Sequence, residues 1–359
     1  MSRLQQIATS RQTLIGKGDL ALKVTAIREN TVAKLPELAI VATTMLEKKL
    51  AKVYHAKDGE AAADIITNLL KGQKQVARAY SNTLAEIDFE ALLAGQGITV
   101  YPTRLEEIVC RESGLPASGH PHLAVLDQPR DEIEKALLNF VGRQDIVAPA
   151  EIVRLAREKV KDTILGCEFG VTGANCIVAD NGVLVAAEDE GNVRAVSNLP
   201  YKHLAVVGID KIIAAAEDAM SVMQATAIYG AGRVTATYYS LIAGPSRTAD
   251  IEFRMAYGMH GPKEVHIVLL DNGRTAIREQ GAGALLKCID CGACFESCAA
   301  LADRQGWQNI VLTPKGIALG IVQGRIAPLT DNAHMAEFIC PVGLSAKTVS
   351  NKLAELEKI

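Results

Sequence analysis

Cys288, Cys291, Cys294 and Cys298 stand within eleven residues, in Lys-Cys-Ile-Asp-Cys-Gly-Ala-Cys-Phe-Glu-Ser-Cys. This C-x2-C-x2-C-x3-C run has the spacing of bacterial iron-sulfur ligation. Three thiolates three residues apart on a tight loop can cap three corners of one cubane, and Gly292 and Ala293 keep that loop small. In two-cluster proteins the last Cys of such a run ligates the other cluster, while the first cluster takes a remote Cys followed by Pro. Cys340-Pro341 fits that remote role. Of the eight cysteines only Cys110, Cys167 and Cys176 then remain, none in C-x2-C spacing, so a second cubane lacks a second loop. The reading is one 4Fe-4S cluster on Cys288, Cys291, Cys294 and Cys340, with Cys298 as the alternative fourth ligand. A structural zinc site is the competing reading, although zinc motifs usually come as two separated C-x2-C pairs. Disulfides are not expected, because the start Met-Ser-Arg-Leu-Gln-Gln has no apolar signal region.

The rest of the chain must position that loop. At 359 residues, with 49% hydrophobic and 22% charged residues, it has material for two folded units, expected at 1–275 and 276–359. A net charge of −3 and 4% aromatics argue against a nucleic-acid surface and base-stacking platforms. Apolar windows such as Leu204 to Ile209 are far shorter than a bilayer span, and the expected compartment is the cytoplasm.

Helical and strand rhythms alternate after a helical N-terminal part, 1–50. Helices are expected over Pro36 to Leu50, Gly59 to Leu70, Leu84 to Leu93, Asp131 to Val141 and Pro149 to Leu165. Strands are expected at Lys52 to His55, Gly97 to Pro102 and His122 to Leu126. Such alternation predicts an α/β fold with a mostly parallel sheet. Asp180-Asn181-Gly182 predicts a hairpin within Cys176 to Ala187. An apolar strand at Leu204 to Ile209, an Ala-rich helix over Lys211 to Thr226, and strands at Ala236 to Ile242 and Val265 to Leu270 complete the unit. Arg274 to Leu286 leads as helix or linker into the cysteine run, with helix again near Ser345 to Leu356, and Trp307 is expected to pack.

Polar, Gly-rich turns stand at strand ends, where open α/β sheets bind ligands. They offer Thr172 and Asn175, then Asn192, then Ser246, Arg247, Thr248 and Asp250 with Glu252 nearby. The third turn carries an Arg able to pair a carboxylate bidentately, and His260 beside it is a candidate proton acceptor. The same residue types also serve any tight turn. Gly230-Ala231-Gly232 and Gly281-Ala282-Gly283 lack the third glycine of a dinucleotide fingerprint.

From Gly170 to Arg274 the chain resembles the lactate-utilisation (LUD) domain family. The matching words are Gly170-Val171-Thr172-Gly173-Ala174-Asn175, Glu190-Gly191-Asn192, Leu199-Pro200 with His203 to Lys211, Gly244 to Glu252, and His260-Gly261-Pro262 through Leu270-Asp271-Asn272-Gly273-Arg274. A weaker match covers Lys52 to Ile66, and the cysteine run that follows is similar to the iron-sulfur subunit of a lactate-utilisation complex. The resemblance implies a ribose-phosphate isomerase/CoA-transferase-like domain followed by a small helical ferredoxin-like domain. Two departures stand out. Arg78-Ala79-Tyr80-Ser81-Asn82 occupies the place of a Ser-Lys-Ser segment, and the second cysteine motif is reduced to Cys340-Pro341. The implied role is an electron-transfer subunit of a multi-subunit oxidoreductase, acting on L-lactate or another 2-hydroxy acid with flavin- or other redox-cofactor-bearing partners. The alternative is a small-anion-binding or redox-sensing protein with a structural or regulatory cluster, the anion, such as a small carboxylate, being held by the Arg247 turn. A CoA-transferase-like enzyme ranks last, with Glu168, Glu188 and Glu190 as arbitrary nominees for the acyl-accepting carboxylate.

Overall fold

The computed structural model describes residues 2–358 except 16–18, 116–117, 124, 126–127, 144, 146–147, 251–253, 306–309 and 330–334. Leu126, Glu252 and Trp307 therefore lie outside the described residues. Among those described, the strands are β1 Lys52–Ala56, β2 Gln75–Arg78, β3 Thr99–Pro102, β4 Phe169–Thr172, β5 Cys176–Val178, β6 Val183–Glu188, β7 Lys202–Gly208, β8 Ile212–Ile213, β9 Tyr238–Ile242, β10 Arg247–Thr248, β11 Ala256–Tyr257 and β12 Glu264–Leu270.

Six of these form one wholly parallel sheet in the order β1-β12-β7-β4-β2-β3. Its central strands β7 and β12 are buried from their second residue onward, so they read as continuous apolar runs, as strands covered on both faces must. On one face the helices Gly59–Leu69 and Phe89–Ala94 pack on Leu204, Val206, Val268 and Leu270. On the other, Leu38, Ala42 and Leu46 of Leu35–Lys48 meet Ala205, Val207, Ile267 and Leu269. A smaller sheet, β8-β5-β6-β9, stands beside that face. Its β5–β6 hairpin closes through a four-residue loop, 179–182, in which Gly182 takes a φ of +63° and Asn181 does not turn left-handed.

Several expected elements differ. The Leu84 to Leu93 helix is broken into Asn82–Ala85 and Phe89–Ala94, because Asp88 takes left-handed φ and ψ of 46° each. The Ala-rich helix begins later, at Ala216, and runs to Ala231, since Ile212 and Ile213 are drawn off to pair with β5. No strand starts at His122, where the chain bends. Strand β2 was not anticipated, as four residues are too few to show a period.

The C-terminal segment does not close on itself. Its buried residues, including Leu286, Leu301, Ile317, Val342 and Val349, share one core with Val24 and Ile27 of the helix Leu20–Ala33 and with Val222, Met223 and Ile228 of Ala216–Ala231. The N-terminal helices also bond the cysteine region directly. Arg11 Nη1 donates to the Ala293 carbonyl at 3.2 Å, Thr25 Oγ1 to that of Pro341 at 3.4 Å, and Lys287 pairs with Glu29 at 3.0 Å.

Candidate functional site: a buried cysteine loop and the pocket beside it

Asp290 and Gly292 take φ of 54° and 82°, and these left-handed residues turn the loop tightly enough to aim main-chain N–H groups inward. The Asp290 N–H reaches Cys288 Sγ at 3.4 Å, Ala293 supplies one to Cys291, and Val342 and Leu344 supply two to Cys340. Such bonds to sulfur tune and hold iron-sulfur ligands. Gly292 is required for a second reason: a Cβ there would stand 2.6 Å from the His120 ring. The helix Phe295–Gln305 starts at once after the loop and puts Cys298, fully buried, with its Sγ 3.7 Å from that of Cys294.

The thiols press on one another electrostatically. Burial pushes Cys288 well up, with Asp290 adding to it. Burial and then Cys294 and Cys340 raise Cys291. Cys294 is raised first by its bond to Cys298 and then by burial. Cys340 is raised by burial against the pull of its two N–H donors. Thiols so placed stay neutral unless a cation compensates them, as burial also keeps Cys176 neutral. Among the described residues no three acidic, imidazole or thiol groups converge on one ion position. A cubane makes no such demand, because each thiolate binds a different iron.

Behind the loop lies a buried charge network. Lys315 Nζ bonds Asp290 Oδ2 at 2.8 Å, Asp210 Oδ2 at 2.7 Å and the Cys288 carbonyl at 3.1 Å. Asp210 is also bonded by Arg274 Nε, and its carbonyl accepts from Arg28 Nη1 at 2.7 Å. Arg274 completes a bidentate pair with Glu86 at 2.9 and 3.0 Å. Burial alone would raise the Asp210 carboxyl, yet Lys315, Arg274 and Arg28 hold it well below the usual range. The end of β7 is thereby tied to the cysteine loop.

At the carboxyl ends of β2 and β4 opens a pocket of about 230 Å³, and here the turn candidates divide. Thr172, Asn175 and Asn192 line it. The Thr172 hydroxyl is 2.8 Å from His203 Nε2, Asn175 Oδ1 accepts from the Ala187 N–H at 2.9 Å, and Asn192 Nδ2 donates to Thr103 Oγ1 at 3.3 Å. Ser246, Arg247, Thr248, Asp250 and His260 lie elsewhere, on and beside the small β10–β11 ribbon, with Arg247, Asp250 and His260 exposed. That turn satisfies itself: Thr248 Oγ1 donates to Asp250 Oδ2 at 2.8 Å, and the His260 N–H to Ser246 Oγ at 3.2 Å.

The pocket also recruits residues that the sequence reading did not select: Asn82, Arg104, His122 and Lys211. Lys211 could have been noticed, as a cation at the end of a wholly apolar strand. Burial, then Lys315, lowers its pKa. Burial, then Arg104, pushes His122 down to about 4. Burial raises both Glu188, which accepts the Val193 and Arg194 N–H groups, and Glu190, which accepts that of Leu105. A second cavity, of about 50 Å³, shares Asn82, His122, Asn175 and Lys211 with the pocket and reaches Cys288, Asp290 and Lys315. The pocket and the cysteine loop are thus neighbours.

Residues 41–270 match the LUD domain family. The chain belongs to it. This LUD protein is 26% identical over 354 residues to the "Uncharacterized electron transport protein YkgF" of Escherichia coli (strain K12), covering 94% of this chain and 72% of that one. It is 26% identical over 302 residues to "Lactate utilization protein B" of Macrococcus caseolyticus, covering 83% and 62%, and 28% identical over 274 residues to "Lactate utilization protein B 2" of Bacillus mycoides, covering 76% and 56%. It therefore spans between 56% and 72% of the length of these relatives. A crystal structure of a DUF162 family protein from Deinococcus radiodurans aligns with a TM-score of 0.33 at 15% identity, covering 66% of this chain and 98% of that one. No helix among the described residues is long and apolar enough to cross a membrane.

Proposed function

We propose that this LUD protein is an iron-sulfur electron-transfer subunit of a cytoplasmic multi-subunit oxidoreductase that oxidises a small 2-hydroxy acid, L-lactate being the first to test. The observation that carries the reading is the gathering of Cys288, Cys291, Cys294, Cys298 and Cys340 in one core, with main-chain N–H groups aimed at three of the sulfurs. Residues 276–359 supply the cluster-bearing, ferredoxin-like part, which completes its core against helices of the LUD part, residues 1–275.

Cys288, Cys291, Cys294 and Cys340 hold one 4Fe-4S cluster. Cys340 is taken as the fourth ligand because it has the remote Cys-Pro form and lies within electrostatic reach of Cys291 and Cys294, with Cys298, whose Sγ is 3.7 Å from that of Cys294, as the alternative. When bound, such a cluster supplies reversible storage of single electrons. The chain's own residues exclude water around the sulfurs and set the local charge through Lys315 and Asp290. Converting a 2-hydroxy acid to a 2-oxo acid removes two electrons and two protons. A flavin-bearing partner subunit would be needed to take the pair, and the group that Cys288, Cys291, Cys294 and Cys340 would hold suits this chain to taking electrons singly. Support for that division comes from the names of the relatives above.

Anaerobic purification followed by iron, sulfide and zinc quantification and EPR of the reduced sample tests the reading. About four irons per chain with a cubane signal is expected. Cys340→Ala should lose most of that iron while Cys298→Ala keeps it. Zinc in place of iron, or no metal, overturns the proposal.

A further inference from the structure

Lys211 is a partly buried ammonium that lacks a counter-charge. Its Nζ donates only to Thr83 Oγ1 at 3.2 Å and the Ala174 carbonyl at 3.3 Å, and it forms no ion pair among the described residues. Asp290, Asp210 and Glu86 are felt only from a distance, and Asp210 and Asp290 are already taken by Lys315 and Glu86 by Arg274. A cation withdrawn from water and left so usually meets an anion. On the same walls, His122 Nε2 and Asn82 Oδ1 are buried without a partner. All three side chains border both the 230 Å³ pocket and the smaller cavity leading to Cys288.

These groups specify a ligand. The ammonium asks for an anion, Asn82 Oδ1 can only accept and so asks for a donor, and His122 Nε2 offers a further polar contact beside them. A carboxylate with a hydroxyl next to it meets these demands with one small molecule, whereas a plain carboxylate leaves the Asn82 acceptor without a donor; protonated phosphate also carries a donor, so it is a competing ligand that the test must separate. A pocket of about 230 Å³ is large enough for such an acid.

We propose that the Lys211 pocket is a binding site for a small 2-hydroxy carboxylate, held through its carboxylate by Lys211 and through its hydroxyl by Asn82. This deepens the electron-transfer reading by placing the acid one cavity away from the cysteine loop. It stands on geometry that the loop's metal content does not enter.

The test is isothermal titration calorimetry of the full chain, purified anaerobically, with L-lactate, propionate and inorganic phosphate as probes. L-Lactate should bind more tightly than either of the others. Lys211→Met should weaken it by about tenfold or more, as loss of a charge-assisted hydrogen bond does, and Arg247→Ala should leave it unchanged. Asn82→Leu, a variant of similar volume that keeps the Lys211 charge, should abolish the preference for L-lactate over propionate and so tests the site even where Lys211→Met fails to fold. Equal affinity for propionate, binding of phosphate alone, unchanged binding by Lys211→Met, or no binding overturns the proposal. Iron analysis of the same sample judges the electron-transfer reading separately, so failure of one is distinguishable from failure of the other.

Discussion

Arg274 and Arg247 carry the same guanidinium, yet they do opposite things. Arg274 is fully buried, clamped between Asp210 and Glu86 at the end of β12, and it joins the sheet to the cysteine loop through Lys315. Arg247 projects from a two-residue strand with no ion pair among the described residues, beside a turn whose polar groups bond one another. Burial with defined partners, rather than residue type, separates a structural charge from an idle one. Lys211 is the third case, partly buried without an ionic partner.

The comparison breaks first at Arg274→Met. Stripping Glu86 of its bidentate partner and Asp210 of one of its cations should cost about 3–5 kcal/mol, against no more than about 0.5 kcal/mol for Arg247→Ala. Denaturant midpoints of the two variants measure the contrast, and similar values would show that burial is not the deciding variable.

A second, smaller effect concerns a buried group that carries no charge. Burial pushes His203 down to about 4 from an ordinary 6.5. Between those values the unfolded chain takes up a proton that the folded chain refuses, so stability falls as pH drops through that window. The loss is on the order of 3 kcal/mol. His203→Gln should remove that share of the slope between pH 4 and 6.5 and leave the share of the similarly depressed His122, and an unchanged slope would place the acid sensitivity elsewhere.

The smallest effect sharpens the same contrast among the thiols outside the loop. Cys176 is fully buried and pushed up to about 12, Cys167 is pushed to about 11, and Cys110 is half-buried. Iodoacetamide at pH 8 should label Cys110 first and Cys176 only after unfolding, as read by peptide mass spectrometry.

Much of the architecture was legible. The alternation of periods foretold a parallel sheet, and Asp180-Asn181-Gly182 foretold the hairpin, because each signal is local and comes from backbone sterics. The broken helix at Asp88 and the strand Ile212–Ile213 were not legible, since a left-handed residue and a pairing with β5 depend on distant neighbours. The site was read unevenly for the same reason. Thr172, Asn175 and Asn192 were found by the rule that ligands gather at strand ends, and that rule also selected Arg247, which the fold places on a separate ribbon.

By itself the sequence determined the cysteine spacing, and with it the sulfur-rich loop that Gly292 lets turn, because ligand period and loop size are properties of consecutive residues. Only the tertiary structure decided that Cys340 returns to that loop from 42 residues beyond Cys298, that Lys315 braces it against Asp210, and that Lys211, His122 and Asn82 share a wall beside it. Those arrangements arise from strand order and a shared core, which set distances between residues far apart along the chain, and no local pattern encodes such distances.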